Sequence, residues 1–584
     1  FPQSLVISEY FNYDRFGEIV LGLPLEGETR HFTPTSIVEP GAEAQARALA
    51  YSLRRITLDD GLGSQNPSFT RHPNGGAFSL SNRFRGGDTV TNAVGVLGFD
   101  FSVYRIQPTG PADYAEVNLR PAAPEEVGGN VRLAAMNTLN FFLTLDTTAS
   151  DSGPGPCGGN QNLDCRGADS NQPQEFTRQR DKLLAALSGL DADVIGLNEL
   201  ENTPGVDPLG DPTRGIVAGL NAMLGAGTYS YINTGVIGTD AIRVGLIYKP
   251  GVVTPVGDFK ILNSTVDPRF LDTKSRPALA QTFEEVATGA RFTVVVNHLK
   301  SKGSDCNDVG DPDTGDGQGN CNQTRKKAAQ ALVDWIATDP TGSGDADYII
   351  MGDLNSYAQE DPIDAIKAGA DDTAGNYDDY TNLIFQYQGT YAYSYVFDGQ
   401  AGYLDHALSF PSLTAQVTGA ADWHINADEP DLLDYDTSFK SNAQDALYEP
   451  NAYRSSDHDA LVVGLDPLHY NFTGFFHPID NAPTTNSVKA GQAVPIKFSL
   501  GGNQGLEIFL AGYPRFEFGV CEPSNTDPVE ETLPSSNSGL SYDPAIDQYT
   551  YVWKTEKGWA NKCGTLTLVL DDGSIHKILF NFTK

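Results

Sequence analysis

The rhythm of apolar and polar positions divides the chain into three stretches. From residue 1 to about 125, apolar or alternating runs (Leu5 to Tyr10, Gly17 to Leu21, Thr89 to Leu97) are separated by clusters of Gly, Asn and Pro. That is the texture of short β-strands joined by turns. Pro121 to Asn130 reads as a linker. Beyond it, the runs Val131 to Asn137, Asp193 to Glu199, Arg243 to Tyr248, Phe292 to His298, Tyr348 to Asp353, Tyr403 to Leu408 and Ala460 to Gly464 predict buried strands. Two segments between them have helical spacing: Glu175 to Leu190, with Leu183, Leu184, Leu187 and Leu190 on one side, and Thr324 to Ala337. Strands with intervening helices predict two packed sheets covered by helices. From about 469 the pattern returns to strands and turns, in Val494 to Leu500, Tyr549 to Trp553 and Thr565 to Leu570, as in a β-sandwich.

A length of 584 residues exceeds one hydrophobic core, and the rhythm places three domains at 1–125, 126–468 and 469–584. The class expected is α+β: a central two-sheet sandwich flanked by helices, an N-terminal β-barrel of OB type and a C-terminal sandwich. Barrels of that type bind single strands through aromatic and basic side chains. By composition alone Arg54, Arg55, Arg83, Phe84, Arg85 and Tyr104 are candidates, but a structural or docking role is the preferred reading. The net charge of −36 argues against a module that holds nucleic acid tightly. It is compatible with a hydrolase that turns over, because bound cations offset carboxylates facing a phosphate. Six cysteines fall as three local pairs, Cys157 with Cys165, Cys306 with Cys321 and Cys521 with Cys563. Neighbour pairing is the simplest of the connectivities and implies an oxidising compartment. No apolar run approaches a membrane span. With a first residue Phe1 rather than Met, the expectation is an exported, extracellular protein whose signal segment has been removed, taken as a monomer.

Metal-competent side chains recur at or beside the ends of the central strands: Asn137, Glu199, His298, Asp353 with Asn355, Asp405, and Asp457 with His458. Any one alone reads as a cap or turn residue. Six such places in one domain gather ligands at one mouth of a sandwich.

In order and local context, Met136-Asn137, Leu197-Asn198-Glu199, Asn297-His298, Gly352-Asp353-Leu354-Asn355, Tyr403-Leu404-Asp405-His406 and Ser456-Asp457-His458 resemble the endonuclease/exonuclease/phosphatase superfamily over roughly residues 130–466. The complete layout resembles the bacterial extracellular nucleases of the ExeM/NucH group. Val494-Pro-Ile-Lys-Phe resembles the Ig-like PxKF domains of secreted bacterial proteins. The resemblance implies a deoxyribonuclease-like sandwich and hydrolysis of DNA, with RNA as a further substrate, by Mg²⁺ or Mn²⁺. Glu199 and Asp457 are hard oxygen donors suited to those ions, with Asn137 assisting. His458, oriented by Asp405, is one candidate general base and Asp353 the other. Asn355 would hold the phosphate or the water, and His298 would donate to a phosphate oxygen or protonate the leaving group. Arg276 resembles the arginine that contacts the nucleic-acid backbone. Where pancreatic-type enzymes carry a glutamate before the arginine matching Arg243, this chain has Ile242. Asp240, two residues earlier, would face the same side of an extended strand and substitute for it.

Two loops are acidic and glycine-rich, Asp151 to Asp164 and Asp305 to Asn320; the latter, with Asp308, Asp311, Asp313 and Asp316, suggests structural Ca²⁺, although it lacks EF-hand spacing and a metal-free disulfide-closed loop is the preferred reading. Two other functions compete. One is a phosphodiesterase of the same fold acting on lipid or inositol phosphates; a lipid enzyme would show an exposed apolar or aromatic membrane hairpin, for which Phe141-Phe142 and Phe475-Phe476 are the places to look. A non-catalytic matrix or adhesion protein would have no need of the catalytic set.

Overall fold

A computed structural model describes residues 1–148, 153–521, 526–532 and 539–584. Asp151 of the first acidic loop lies outside them. The centre is a pair of six-stranded sheets. One runs Ser230–Tyr231, Ile242–Tyr248, Val194–Glu201, Val131–Phe141, Ala460–Leu465, Val417–Trp423. The other runs Val253–Leu262, Arg276–Glu285, Arg291–His298, Tyr348–Asp353, Asp405–Ser409, Thr381–Asn382.

Strand alternation builds the core. Phe292, Val294 and Val296 face Leu133, Val194 and Leu246 across the gap between the sheets. Val295 and Ile350 point the other way, onto the Asn322–Ile336 helix. Ile195 and Leu197 meet the Gln174–Leu190 helix on the far face of the first sheet. Each such side chain stabilises the fold by about 1.5–3 kcal/mol over its exposed state.

Each sheet holds one parallel pair, with Asn137 opposite Asn198 in the first and His298 opposite Asp353 in the second. Parallel neighbours finish at the same end, so polar residues closing these strands converge on one mouth, where open α/β sheets place their ligands.

The N-terminal part is a seven-stranded sheet with Gly95–Asp100 and Asp113–Ala115 at its two ends and Arg55–Leu58 parallel to Val103–Pro108. The run expected as one strand from Thr89 to Leu97 is two. Asn92 adopts φ 55°, and the pieces on either side pair with different partners. The helix Ala42–Ser52 was not expected from the pattern, because it buries only Ala44 and Tyr51 and so carries no apolar stripe. Its Ala, Glu, Gln and Arg content supports it by propensity.

This sheet is fixed to the centre by ion pairs on the segment after the Val417–Trp423 strand. Arg30 binds Asp428 at 2.7 Å, and Glu429 takes Arg85 at 2.8 Å and Arg120 at 2.6 Å. Arg85 is buried in that junction, whereas Phe84 is buried in the core of the N-terminal part against Tyr10, Tyr13 and Phe78. The linker expected at 121–130 is strapped down: Trp423 Nε1 and Tyr453 Oη donate to Pro121 O, and Thr418 Oγ1 donates to Val127 O.

The C-terminal part packs a four-stranded sheet on a five-stranded one around Val494, Phe498, Tyr549, Trp553, Leu566 and Phe580. Phe141, Phe142 and Phe475 are buried, so neither aromatic pair forms an exposed hairpin. Among the described residues no helix is long and apolar enough to cross a membrane.

The three disulfides join Cys157 to Cys165, Cys306 to Cys321 and Cys521 to Cys563. The second closes 15 residues of sequence. Its carboxylates serve the chain's own turns: Asp311 accepts the N–H groups of Gln323 and Thr324, Asp313 that of Gly315, Asp316 that of Gln318, and Asp308 pairs with Lys274. The suggested Ca²⁺ therefore finds no converging oxygens there. Serine at both Cys306 and Cys321 is expected to lower unfolding stability by about 3 kcal/mol, from restored loop entropy. Urea unfolding of the paired proteins measures this, and a change under about 0.5 kcal/mol would contradict it.

Candidate active site

The strand ends meet in one cleft, lined by Glu199, His298, Asp353, Asn355, Asp457 and His458, with Arg276 beside them. Asp405 and Asn137 lie behind this wall and hold members of it.

His458 Nδ1 is 2.7 Å from Asp405 Oδ2, and the same carboxylate oxygen accepts from Ser394 Oγ at 2.7 Å. Asp405 and Ser394 are fully buried, so the carboxylate has two fixed partners and one orientation. The Tyr395 ring covers the imidazole at 4.5 Å between centroids. Burial opposes charge on His458, but Asp405, Asp457 and Asp353 outweigh it and hold its pKa well above the ordinary value. With Nδ1–H committed to Asp405, Nε2 is the nitrogen available to the cleft.

The second cluster surrounds His298. Its Nε2 lies 3.2 Å from Arg276 Nη1, 3.4 Å from Asp353 Oδ2 and 3.9 Å from Glu199 Oε1. Asp353 also accepts the backbone N–H of Asn355 at 2.8 Å and its side-chain amide at 3.2 Å. Burial pushes the Asp353 pKa up, yet the His298 hydrogen bond and the fields of His458 and His298 win, and it sits at about 2. Asp353 is therefore a fixed anion and a weak proton acceptor at neutral pH.

Glu199 accepts from Asn137 Nδ2 at 3.2 Å and from the backbone N–H of Asn140 at 2.9 Å. The backbone around it is strained: Leu139, Asn140, Glu199 and Asn355 all have φ between 47° and 63°, a region that costs non-glycine residues energy and clusters at functional sites. Among the described residues no group of three or more His, Cys, Asp or Glu encloses a single metal position. Two carboxylates and an amide are what Mg²⁺ or Mn²⁺ uses when it keeps several waters and shares substrate oxygens. The donor set Glu199, Asp457 and Asn137 fits that case.

Two expected positions need correction. Asp240 does not hold His298. It precedes the strand, which begins at Ile242, so the two-residue alternation does not reach it. Its carboxylate takes Arg276 Nε at 2.9 Å and Arg166 at 3.6 Å, and Arg276 in turn contacts His298. Arg243 is not in the cleft. It is buried against Asp207 at 3.7 Å and Thr234 Oγ1 at 3.2 Å.

Other members carry no signal alone. Asn198 is buried and ties the sheets together: its Nδ2 donates to Asn297 O at 2.7 Å, and its Oδ1 accepts from Asp353 N at 3.4 Å. Gly352, at φ 115°, leaves room for this, since a Cβ there would lie 2.4 Å from Asn297 O and 3.0 Å from Asn198 Oδ1. Arg166 comes from a loop and Tyr395 from the short strand Tyr395–Phe397.

Comparison with known proteins bears on this arrangement. The profile described as "Endonuclease/Exonuclease/phosphatase family" matches residues 157–458. The chain is also similar to the human Nocturnin catalytic domain with bound sulfate (16% identity, 59% of this chain and 95% of that chain, TM-score 0.32). A second similar structure is an endonuclease/exonuclease/phosphatase family protein from Bacteroides thetaiotaomicron (15% identity, 57% and 93%, TM-score 0.33). A third is an AP endonuclease from Archaeoglobus fulgidus (11% identity, 57% and 99%, TM-score 0.31). At these scores the likenesses carry no argument about substrate. No curated protein sequence matches the chain. The family match takes in more than half of the 584 residues and nearly all of the cleft, and on that ground the chain belongs to the endonuclease/exonuclease/phosphatase family of phosphoester hydrolases.

Proposed function

We propose that the protein is an extracellular, Mg²⁺- or Mn²⁺-dependent endonuclease that hydrolyses phosphodiester bonds of DNA, and of RNA as a second substrate. The observation that carries this reading is the buried Asp405–His458 pair opening onto the same cleft as Glu199 and Asp457. A phosphodiester is anionic and repels a nucleophile, so its hydrolysis needs positive charge on the phosphate and an activated water in line.

Glu199, Asp457 and Asn137 would hold the cation, which supplies that charge. With a cation on Asp457, less of the carboxylate field reaches His458, and its Nε2 can accept a proton. His458 Nε2 takes the proton of the attacking water as the oxygen bonds to phosphorus. Asp405 stabilises the resulting imidazolium and keeps its tautomer. Asn355 and Arg276 position the phosphate, and His298 donates to its oxygen or to the leaving oxygen as the P–O bond breaks. Asp240 acts only through Arg276. Three disulfides support an oxidising location outside the cell.

Supercoiled plasmid with Mg²⁺ or Mn²⁺ tests the reading. Nicking followed by linearisation is expected, abolished by chelator and reduced at least about 100-fold by Glu199→Gln or Asp457→Asn. Plasmid left intact with every divalent ion would overturn the DNA assignment.

A further inference from the structure

A second groove adjoins the cleft and has no part in the chemistry above. Its volume is about 730 Å³, and its walls come from both the N-terminal sheet and the central domain. Tyr395, Phe397 and Asp457 line both depressions, so the groove is a continuation of the cleft. Three of its aromatic rings lie open to solvent: Phe11 is 70% exposed, Phe101 80% and Phe397 65%. Phe11 and Phe101 belong to the N-terminal sheet region, and Phe397 stands at the join.

Other phenylalanines, such as Phe99, Phe439 and Phe518, are also exposed, but these three share one groove, and apolar surface gathered in this way marks a binding site. Phe101 is held in place: it sits at the turn between the strands Gly95–Asp100 and Val103–Pro108, with the Arg105 guanidinium 5.2 Å from its ring centre. The arginines around the rings are already paired, and carboxylates outnumber them in the lining. Arg105 pairs with Glu18 and Asp59, Arg55 with Asp398 and Arg454 with Asp431. Glu9 accepts the backbone N–H groups of Tyr10, Phe11 and Gly399. With its arginines committed, the groove has little to offer a phosphate, but it offers exposed aromatic faces along its walls.

We propose that this groove takes the unpaired strand of a nucleic-acid substrate as it leaves the cleft, with bases stacking on Phe397, Phe101 and Phe11. The inference rests on the nuclease reading and specifies the form of substrate: single strands, or duplexes opened beside the cut. In an intact duplex the base faces are stacked on one another and cannot meet a phenylalanine. In a single strand every base presents one, whatever its identity, so the recognition is sequence-tolerant. The arginine pairs at Asp428 and Glu429 that fix the N-terminal sheet keep the two walls in register without a closing motion. Of the residues that composition alone offers for single-strand binding, Arg85 serves that docking and Arg55 lines the groove.

The test is fluorescence anisotropy on the full chain with Mn²⁺, using a nuclease-resistant phosphorothioate oligothymidylate of about 20 nucleotides, longer than the roughly 4–16 such a groove holds. The Phe11→Ala/Phe101→Ala double variant is expected to bind it about tenfold more weakly than the wild type. A blunt phosphorothioate duplex of equal length is expected to change less than about twofold, and Phe101→Trp is expected to retain full affinity because indole also stacks. Both positions are exposed, and an unchanged thermal midpoint confirms that the variants fold. Unchanged oligothymidylate affinity, equal loss on the duplex, or no binding by the wild type would overturn the proposal. Failure of the nuclease reading has a different signature: oligothymidylate bound through Phe11 and Phe101, but ordinary DNA never cut.

Discussion

His458→Ala is expected to lower kcat on plasmid or oligonucleotide substrates by about 10²–10⁴-fold, the range for losing a positioned general base, with a much smaller change in KM. The imidazole is the one group in the cleft with a buried carboxylate fixing its far nitrogen, 2.7 Å away, and an open nitrogen toward the substrate. Asp405→Asn should approach the same loss although it keeps the shape. An amide that turns its NH₂ toward Nδ1 selects the tautomer with the proton on Nε2, which cannot accept another. The competing base is Asp353. Its oxygens are already committed, to the backbone N–H and side-chain amide of Asn355 and to His298 at 3.4 Å, which leaves it poorly placed to take a proton from water. Asp353→Asn should still be damaging, because it frees His298 and Asn355, but through positioning. Initial rates at saturating metal separate the two. If His458→Ala keeps within about threefold of wild-type kcat while Asp353→Asn abolishes turnover, the base assignment is wrong.

What the sequence reveals of this site follows from how local each feature is. His298 and Asp353 end strands, and Glu199 lies two residues before the end of its own; the apolar runs of all three are visible as such, and parallel pairing puts those ends together. The Asp405–His458 pair spans 53 residues, yet each partner sits in a short distinctive context. Asn198 has no such context: a buried amide bridging two sheets looks, in sequence, like any polar residue in a strand. Asp240 shows the limit of alternation arguments, since its parity with Ile242 holds only if both are extended, and the strand starts two residues too late. Arg85 is a basic residue among basic and aromatic neighbours, and its composition suits a binding surface as well as an interface. Only the partners Asp428 and Glu429, more than 340 residues downstream, decide between them. The Ala42–Ser52 helix lies mostly on the surface and buries too little to leave an amphipathic pattern.

The same interface carries the largest stability effect. Asp428 is fully buried and receives Arg30 at 2.7 Å, Asn118 Nδ2 at 2.6 Å and Tyr393 Oη at 2.7 Å, with Arg85 3.8 Å away. Asp428→Asn keeps the volume but leaves two buried guanidinium groups short of a counter-charge. Removing one partner of a buried pair costs about 3–5 kcal/mol, so the variant's urea midpoint at neutral pH should fall by a corresponding amount, with the 121–130 strap becoming sensitive to protease. The pH dependence fixes the cause. Burial raises the Asp428 pKa, but Arg30, Arg85 and His424 outweigh it and bring it to about 2, below the unfolded value near 3.9. A carboxyl depressed on folding stabilises the folded state above its unfolded pKa and loses that contribution as pH falls through the folded one. The gap between wild type and Asp428→Asn should therefore be full above about pH 4 and shrink between about pH 4 and pH 2. A gap that is absent at neutral pH, or that persists undiminished below pH 2, would mean the ion pairs do not hold the two domains together. The groove would then have no fixed second wall, whereas cutting of short substrates, which depends on the central cleft alone, should survive the substitution.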